Sequence, residues 1–115
     1  MPSKDLAARY RDILENFVAI DGYVAGLTSD ALARDGKTRD AVERCLARIS
    51  ESAVRVGQQA EDDAPEIPWI DVRRLGNHLR HAYDRTNPDL IWEIVSTDLP
   101  AMRSACKRAL KVLGR

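Results

Sequence analysis

Residues 4–27, KDLAARYRDILENFVAIDGYVAGL, set Leu6, Tyr10, Ile13, Phe17, Ile20, Val24 and Leu27 at alternating steps of four and three. That spacing holds one face of an α-helix, because each residue turns the chain by about 100°. The stretch predicts a helix from about Lys4 to Gly26, opened by Ser3 as N-cap, with a single apolar stripe along it. A stripe of that length needs other helices to cover it.

Outward from this stretch the same pattern returns. Thr28-Ser29-Asp30 can cap a short helical turn through Arg34, which Asp35-Gly36 ends. Thr38 opens a second long helix with Val42, Cys45, Leu46, Ile49, Ala53 and Val56 inside. Glu43, Arg44, Arg48, Glu51 and Arg55 fall outside as a solvated charged face, and Gly57 starts the end of the helix. Glu61-Asp62-Asp63-Ala64-Pro65-Glu66 reads as a solvent-facing loop that lacks the ligand alternation and glycine of a calcium loop. Its acids could instead face the arginines of the next helix.

Pro68 suits the first turn of a third long helix, with Asp71 near the positive end of its dipole. Ile70, Val72, Leu75, Leu79 and Ala82 form its apolar side, while Arg74, His78, His81 and Arg85 fall opposite with Asn77 beside them. Asn87-Pro88 starts a fourth helix, whose apolar face runs from Leu90 and Ile91 through Ile94, Val95, Leu99 and Met102 to Leu110. Pro100 should kink or break it after Asp98, with Asp98 capping the continuation. With no strand signal, the prediction is an all-α, up-and-down four-helix bundle. It has a kinked C-terminal helix, a short extra helical turn and a single domain over residues 1–115.

The 115 residues carry 18 basic and 18 acidic side chains, with 44% hydrophobic and 31% charged residues. That balance suits one soluble helical domain and excludes a globally basic nucleic-acid binder, although a local patch can still attract phosphate. Cys45 and Cys106 fall at apolar helix positions without metal or redox spacing, as buried thiols of a reducing cytoplasm would. No apolar run approaches the roughly 20 residues of a membrane span. The start, MPSKDLAARYRDI, lacks a signal-peptide core, which predicts a cytoplasmic protein.

The chemistry gathers in residues 69–101, WIDVRRLGNHLRHAYDRTNPDLIWEIVSTDLPA, which hold both histidines, both tryptophans and Arg73, Arg74, Arg80 and Arg85. Trp69 and Trp92 could anchor either the core or a subunit interface. Within this stretch Asn77-His78-Leu79-Arg80-His81-Ala82-Tyr83, then Trp92-Glu93-Ile94-Val95 and Asp98-Leu99-Pro100, resembles the HEPN-domain proteins, in particular the HepT-like toxins of minimal nucleotidyltransferase/HEPN toxin–antitoxin operons. The resemblance implies a helical, homodimeric, metal-independent endoribonuclease without cofactor, neutralised by a cognate nucleotidyltransferase antitoxin. It makes His81 the catalytic histidine, gives Asn77 a place in the motif, and makes Tyr83 the acceptor for AMP added by that partner.

RNA cleavage without a metal needs a base for the 2′-hydroxyl proton, a donor to the leaving oxygen and positive charge on the phosphate. A histidine near neutrality serves either proton role, and arginine suits the phosphoryl oxygens. The arginine is where this chain departs from the pattern. The usual four intervening residues before His81 lead back to Gly76, whereas the broader six lead to Arg74. Arg74 or Arg80 then carries the phosphate role. Arg74 and His81, two helical turns apart, would share a face at a Cα separation of roughly 10 Å, and would meet on one phosphate only through the length of the arginine side chain or across a dimer interface. Tyr83 falls about 200° around an ideal helix from His81. His78 matches no family position and reads as an exposed helix histidine. The alternatives from other classes are a catalytically inactive helical subunit that binds a nucleotidyltransferase, its site decayed at Gly76, and a dimer that forms only a nucleotide-binding groove.

Overall fold

The computed structural model describes residues 5–81 and 88–113 and, within them, every side chain except those of Asn77, His78, Arg80, His81, Pro88 and Leu90. In chain order the helices are α1 (Leu6–Val24), α2 (Ser29–Arg34), α3 (Gly36–Val56), α4 (Gln59–Asp63), α5 (Trp69–His81), α6 (Pro88–Glu93), a π-helical turn (Ile94–Asp98) and α7 (Leu99–Val112). The fold is an all-α bundle, and no strand occurs among the described residues. None of these helices is long and apolar enough to cross a membrane.

The predicted stripe of α1 is its buried face. Tyr10, Ile13, Phe17 and Ile20 are fully buried, and Val24 and Leu27 pack against the same core. Val42, Leu46, Ile49, Ala53 and Val56 meet them from α3, so α1 and α3 form the most extensive helix pair. Then α5 packs on α3 and α7 on α1, while α2 lies against α3 and α6 with Leu32 buried. Burying each such side chain contributes about 1.5–3 kcal/mol, enough to make the stripe the main determinant of the bundle. Cys45 and Cys106 are buried free thiols, as their apolar positions implied, and burial pushes the Cys106 thiol up to about 12.

Several boundaries differ from expectation, each for a local reason. Asp35-Gly36 ends α2 but does not separate it from α3. The Asp35 carboxylate accepts the Thr38 amide at 3.0 Å and the Thr38 hydroxyl at 2.7 Å, so α3 begins at Gly36 rather than Thr38. Those bonds to Thr38 hold the Asp35 carboxyl below its ordinary range. Thr28 caps α2 as expected, accepting from the Ala31 amide at 3.1 Å. The acidic stretch expected as a loop is helical through Asp63, and the chain turns only from Ala64. There Asp63 accepts from the buried Tyr10 hydroxyl at 2.7 Å and from the Gln59 amide at 2.9 Å, tying α4 to α1. Trp69 proves to be core, with its indole N–H on the Ala64 carbonyl at 2.9 Å. Trp92 is partly buried against the same core.

Pro100 does not break the last helix, and the Asp98 side chain makes no cap bond. The chain stays helical by widening into the π turn just before the proline, which relieves the clash and the missing amide that a proline brings. The turn also answers to the core. Ile91, Val95 and Leu99 are buried at successive steps of four, which would drift about 80° around an unbroken α-helix. The wider turn takes up that drift. Ser3, Asn87 and Ala82 lie outside the described residues, so the first cap, the fourth helix's cap and the end of the third helix's stripe are not described, whereas α6 does begin at Pro88.

Candidate functional site on helix α5

Helix α5 carries the candidate residues, and its inward side fixes how it is turned. Val72 is buried and Leu75 and Leu79 pack against the core. Gly76 shares that side and is buried. Its amide donates to the Ser50 hydroxyl at 3.0 Å, and that hydroxyl donates to the Arg73 carbonyl at 2.9 Å. Ser50, buried on α3, thus reaches the α5 backbone where glycine leaves it bare.

Arg73 adds a second clamp. Its guanidinium donates to both Glu61 oxygens at 2.7 and 2.9 Å and to the Gly57 carbonyl at 2.8 Å, with a longer contact of 3.4 Å to the Ala53 carbonyl. The side chain spans α4, α5 and the C-terminal end of α3, where a cation is favoured by the helix dipole, and it shares the Ala53 and Gly57 carbonyls with the Gly57 and Ala60 amides. Gly57 takes the left-handed φ of 71° that ends α3 there. The bidentate pair holds the Glu61 carboxyl below its ordinary range and raises Arg73 further. The acidic segment therefore does face the next helix's arginines, through Arg73.

Arg74, the next residue, is exposed and has no hydrogen-bond or ion-pair partner among the described residues. Two turns on, His81 is the last described residue of α5, so the backbone brings positions 74, 78 and 81 to one face, with Cα atoms of 74 and 81 roughly 10 Å apart. Asn77 flanks that face, one turn before His81. Position 80 lies about 120° away from position 74 around the helix, which separates Arg80 from it. The side chains of Asn77, His78, Arg80 and His81 are outside the description, and Tyr83 and Arg85 lie wholly outside the described residues.

Position 76 is a different matter from the one the motif spacing suggests. Because Gly76 faces α3, an arginine there would be aimed into the α3–α5 contact and not towards the Arg74 face. Ser50 is the residue that sequence reading passed over, while Arg73 was read only as one of the local arginines that the acidic stretch could face. A serine one step beyond Ile49 on a buried face was the available signal, since a buried hydroxyl requires a partner. Among the described residues, no group of three or more His, Cys, Asp or Glu side chains is arranged to hold a metal ion.

A family profile described as ribonuclease HepT-like matches residues 13–109. A protein of Methanocaldococcus jannaschii, provisionally named an RNase, is 36% identical over 100 residues, covering 87% of this chain and 83% of its own. "Probable ribonuclease HepT" of Thermococcus cleftensis is 28% identical over 100 residues, covering 87% of this chain and 91% of its own. No solved structure matches significantly. The matched span takes in the clamped helix α5 with the exposed Arg74 and with position 81, and the chain belongs to the HepT-like family of HEPN proteins.

Proposed function

We propose that the protein is a metal-independent endoribonuclease acting from the outer face of α5, as the toxin of a toxin–antitoxin pair. The observation that carries this reading is the solvent-exposed Arg74, without a partner among the described residues, set two helical turns before His81 within a chain of the HepT-like family. His81 takes the proton from a ribose 2′-hydroxyl as the 2′-oxygen attacks the adjacent phosphorus. The P–O5′ bond breaks, the leaving oxygen receives a proton, and the products are a 2′,3′-cyclic phosphate and a 5′-hydroxyl end. Arg74 neutralises charge that builds on the phosphoryl oxygens, with Asn77 orienting the histidine or the phosphate; Arg80, off that face, could join only from the second copy of α5 in a dimer. The inward placement of Gly76 supports Arg74 as the motif arginine.

The separation of Arg74 and His81 suits a homodimer in which two copies of α5 line one cleft, so that the pair acting on a phosphate need not come from one chain. A nucleotidyltransferase antitoxin that adds AMP to Tyr83, two residues along the chain from His81, would silence the protein by adding bulk and negative charge. The test is to express the chain alone in bacteria and to incubate the purified protein with RNA in the presence of a chelator. Growth arrest and RNA cleavage that are lost in His81→Ala are expected. Intact RNA with the wild type would remove the enzymatic reading.

A further inference from the structure

The bundle holds a cavity of about 390 Å³ between α3, α5, the π turn and α7. Leu75 and Ile94, both partly exposed, form its apolar walls, with the buried Leu46, Ile49, Val72 and Met102 behind them. Two carboxylates belong to its lining from different elements, Asp71 on α5 and Asp98 on the π turn. Both are exposed, and neither has an ion-pair or hydrogen-bond partner among the described residues. The third acid of the lining, Glu66, is already engaged by Arg108. The π turn supplies Ile94, Thr97 and Asp98 together, and such turns recur where helices serve a site.

We infer that this cavity docks a protein segment presenting one aliphatic side chain beside a lysine or arginine. The volume is near the lower end of ligand pockets and accepts one or two side chains, not a whole helix. The apolar walls favour an aliphatic group, and two unneutralised carboxylates in the lining favour a cation next to it. An RNA strand would bring phosphates towards those same carboxylates, so charge disfavours nucleic acid here. The inference is independent of the ribonuclease reading, because it concerns binding alone.

The test uses methyl-labelled full-length protein and two blocked dipeptides, acetyl-Leu-Lys-amide and acetyl-Leu-Glu-amide, at low salt. The lysine peptide should shift the methyl resonances of Leu75, Ile94 and Met102 with a dissociation constant of about millimolar, as expected for a ligand of this size. The glutamate peptide should bind more weakly. Asp71→Asn and Asp98→Asn should each weaken the lysine peptide by about twofold to fivefold, as solvent-exposed charge pairs do, and salt should weaken it further. Ala101→Trp, at an exposed position of the lining, should block binding without disturbing the core. Equal responses to the two peptides, no response, or undiminished binding in Ala101→Trp would overturn the inference. So would a preference of these methyls for a ribonucleotide oligomer, or shifts that follow protein concentration alone, which would assign the cavity to a second copy.

Discussion

Arg73 and Arg74 are consecutive arginines on one helix, and the fold gives them opposite tasks. The first turns inward to tie α5 to the end of α3 and to α4, donating to the Gly57 carbonyl and the Glu61 carboxylate, with a longer contact to the Ala53 carbonyl. The second is left in solvent, with its charge uncommitted. Two like residues 100° apart differ in surroundings because Ser50 and Gly76 fix the rotation of α5 against α3. An outward guanidinium is useful only if another group keeps the helix from turning.

The sharpest break of this comparison comes from activity. Arg74→Ala and His81→Ala should each lower RNA cleavage by about a hundredfold or more while the melting temperature stays at the wild-type value. Arg73→Ala should show the reverse pattern, with loss of stability and cleavage retained at temperatures where the variant is folded. Equal losses of cleavage at 73 and 74 without unfolding would erase the distinction.

Gly76→Arg comes next. It should destabilise by about 1–3 kcal/mol or more through overpacking of the α3–α5 contact and should bring no gain in cleavage, as denaturant titration and an RNA assay would read. Arg73→Ala should cost about 1–3 kcal/mol, and Arg73→Lys most of that, because an ammonium cannot reproduce the planar fork that reaches carboxylate and carbonyl together. Ser50→Ala should cost about 1 kcal/mol in the same titration, by removing the hydroxyl that joins the two helices.

The smallest effect is a pH slope. In the folded chain the Glu61 carboxyl is held below its ordinary value by Arg73, so its stabilisation is complete above the unfolded value of about 4.3 and fades as pH falls through the lower folded value. Thermal melts should therefore decline on the acid side, and Glu61→Gln should flatten part of that decline. Some slope will remain, because Asp35 is lowered in the same direction by Thr38.

The bundle was legible because alternating steps of three and four can be satisfied only by a helix with one buried face. Tyr10, Ile13, Phe17 and Ile20 lie inside as that rule requires. The exposed position of Arg74 followed from the same wheel. The split between Arg73 and Arg74 did not, since Glu61, the acid that captures Arg73, belongs to a stretch whose composition reads as loop but whose first three residues are helical. Nor did the role of Gly76, because motif spacing counts residues along the chain and carries no sign of which side of the helix is occupied. The π turn was hidden for a related reason: a proline announces lost bonding, and the sequence offers no cue that the helix will stretch and not stop.

That turn makes the register of the last two helices depend on a single surplus residue. Removing any one position between Ile94 and Asp98 would tighten the winding there and swing Ile91 about 100° away from its neighbours in the interior. Homologous chains lacking the surplus would align with a one-residue gap at this point, and the small cleft beneath it would close with it.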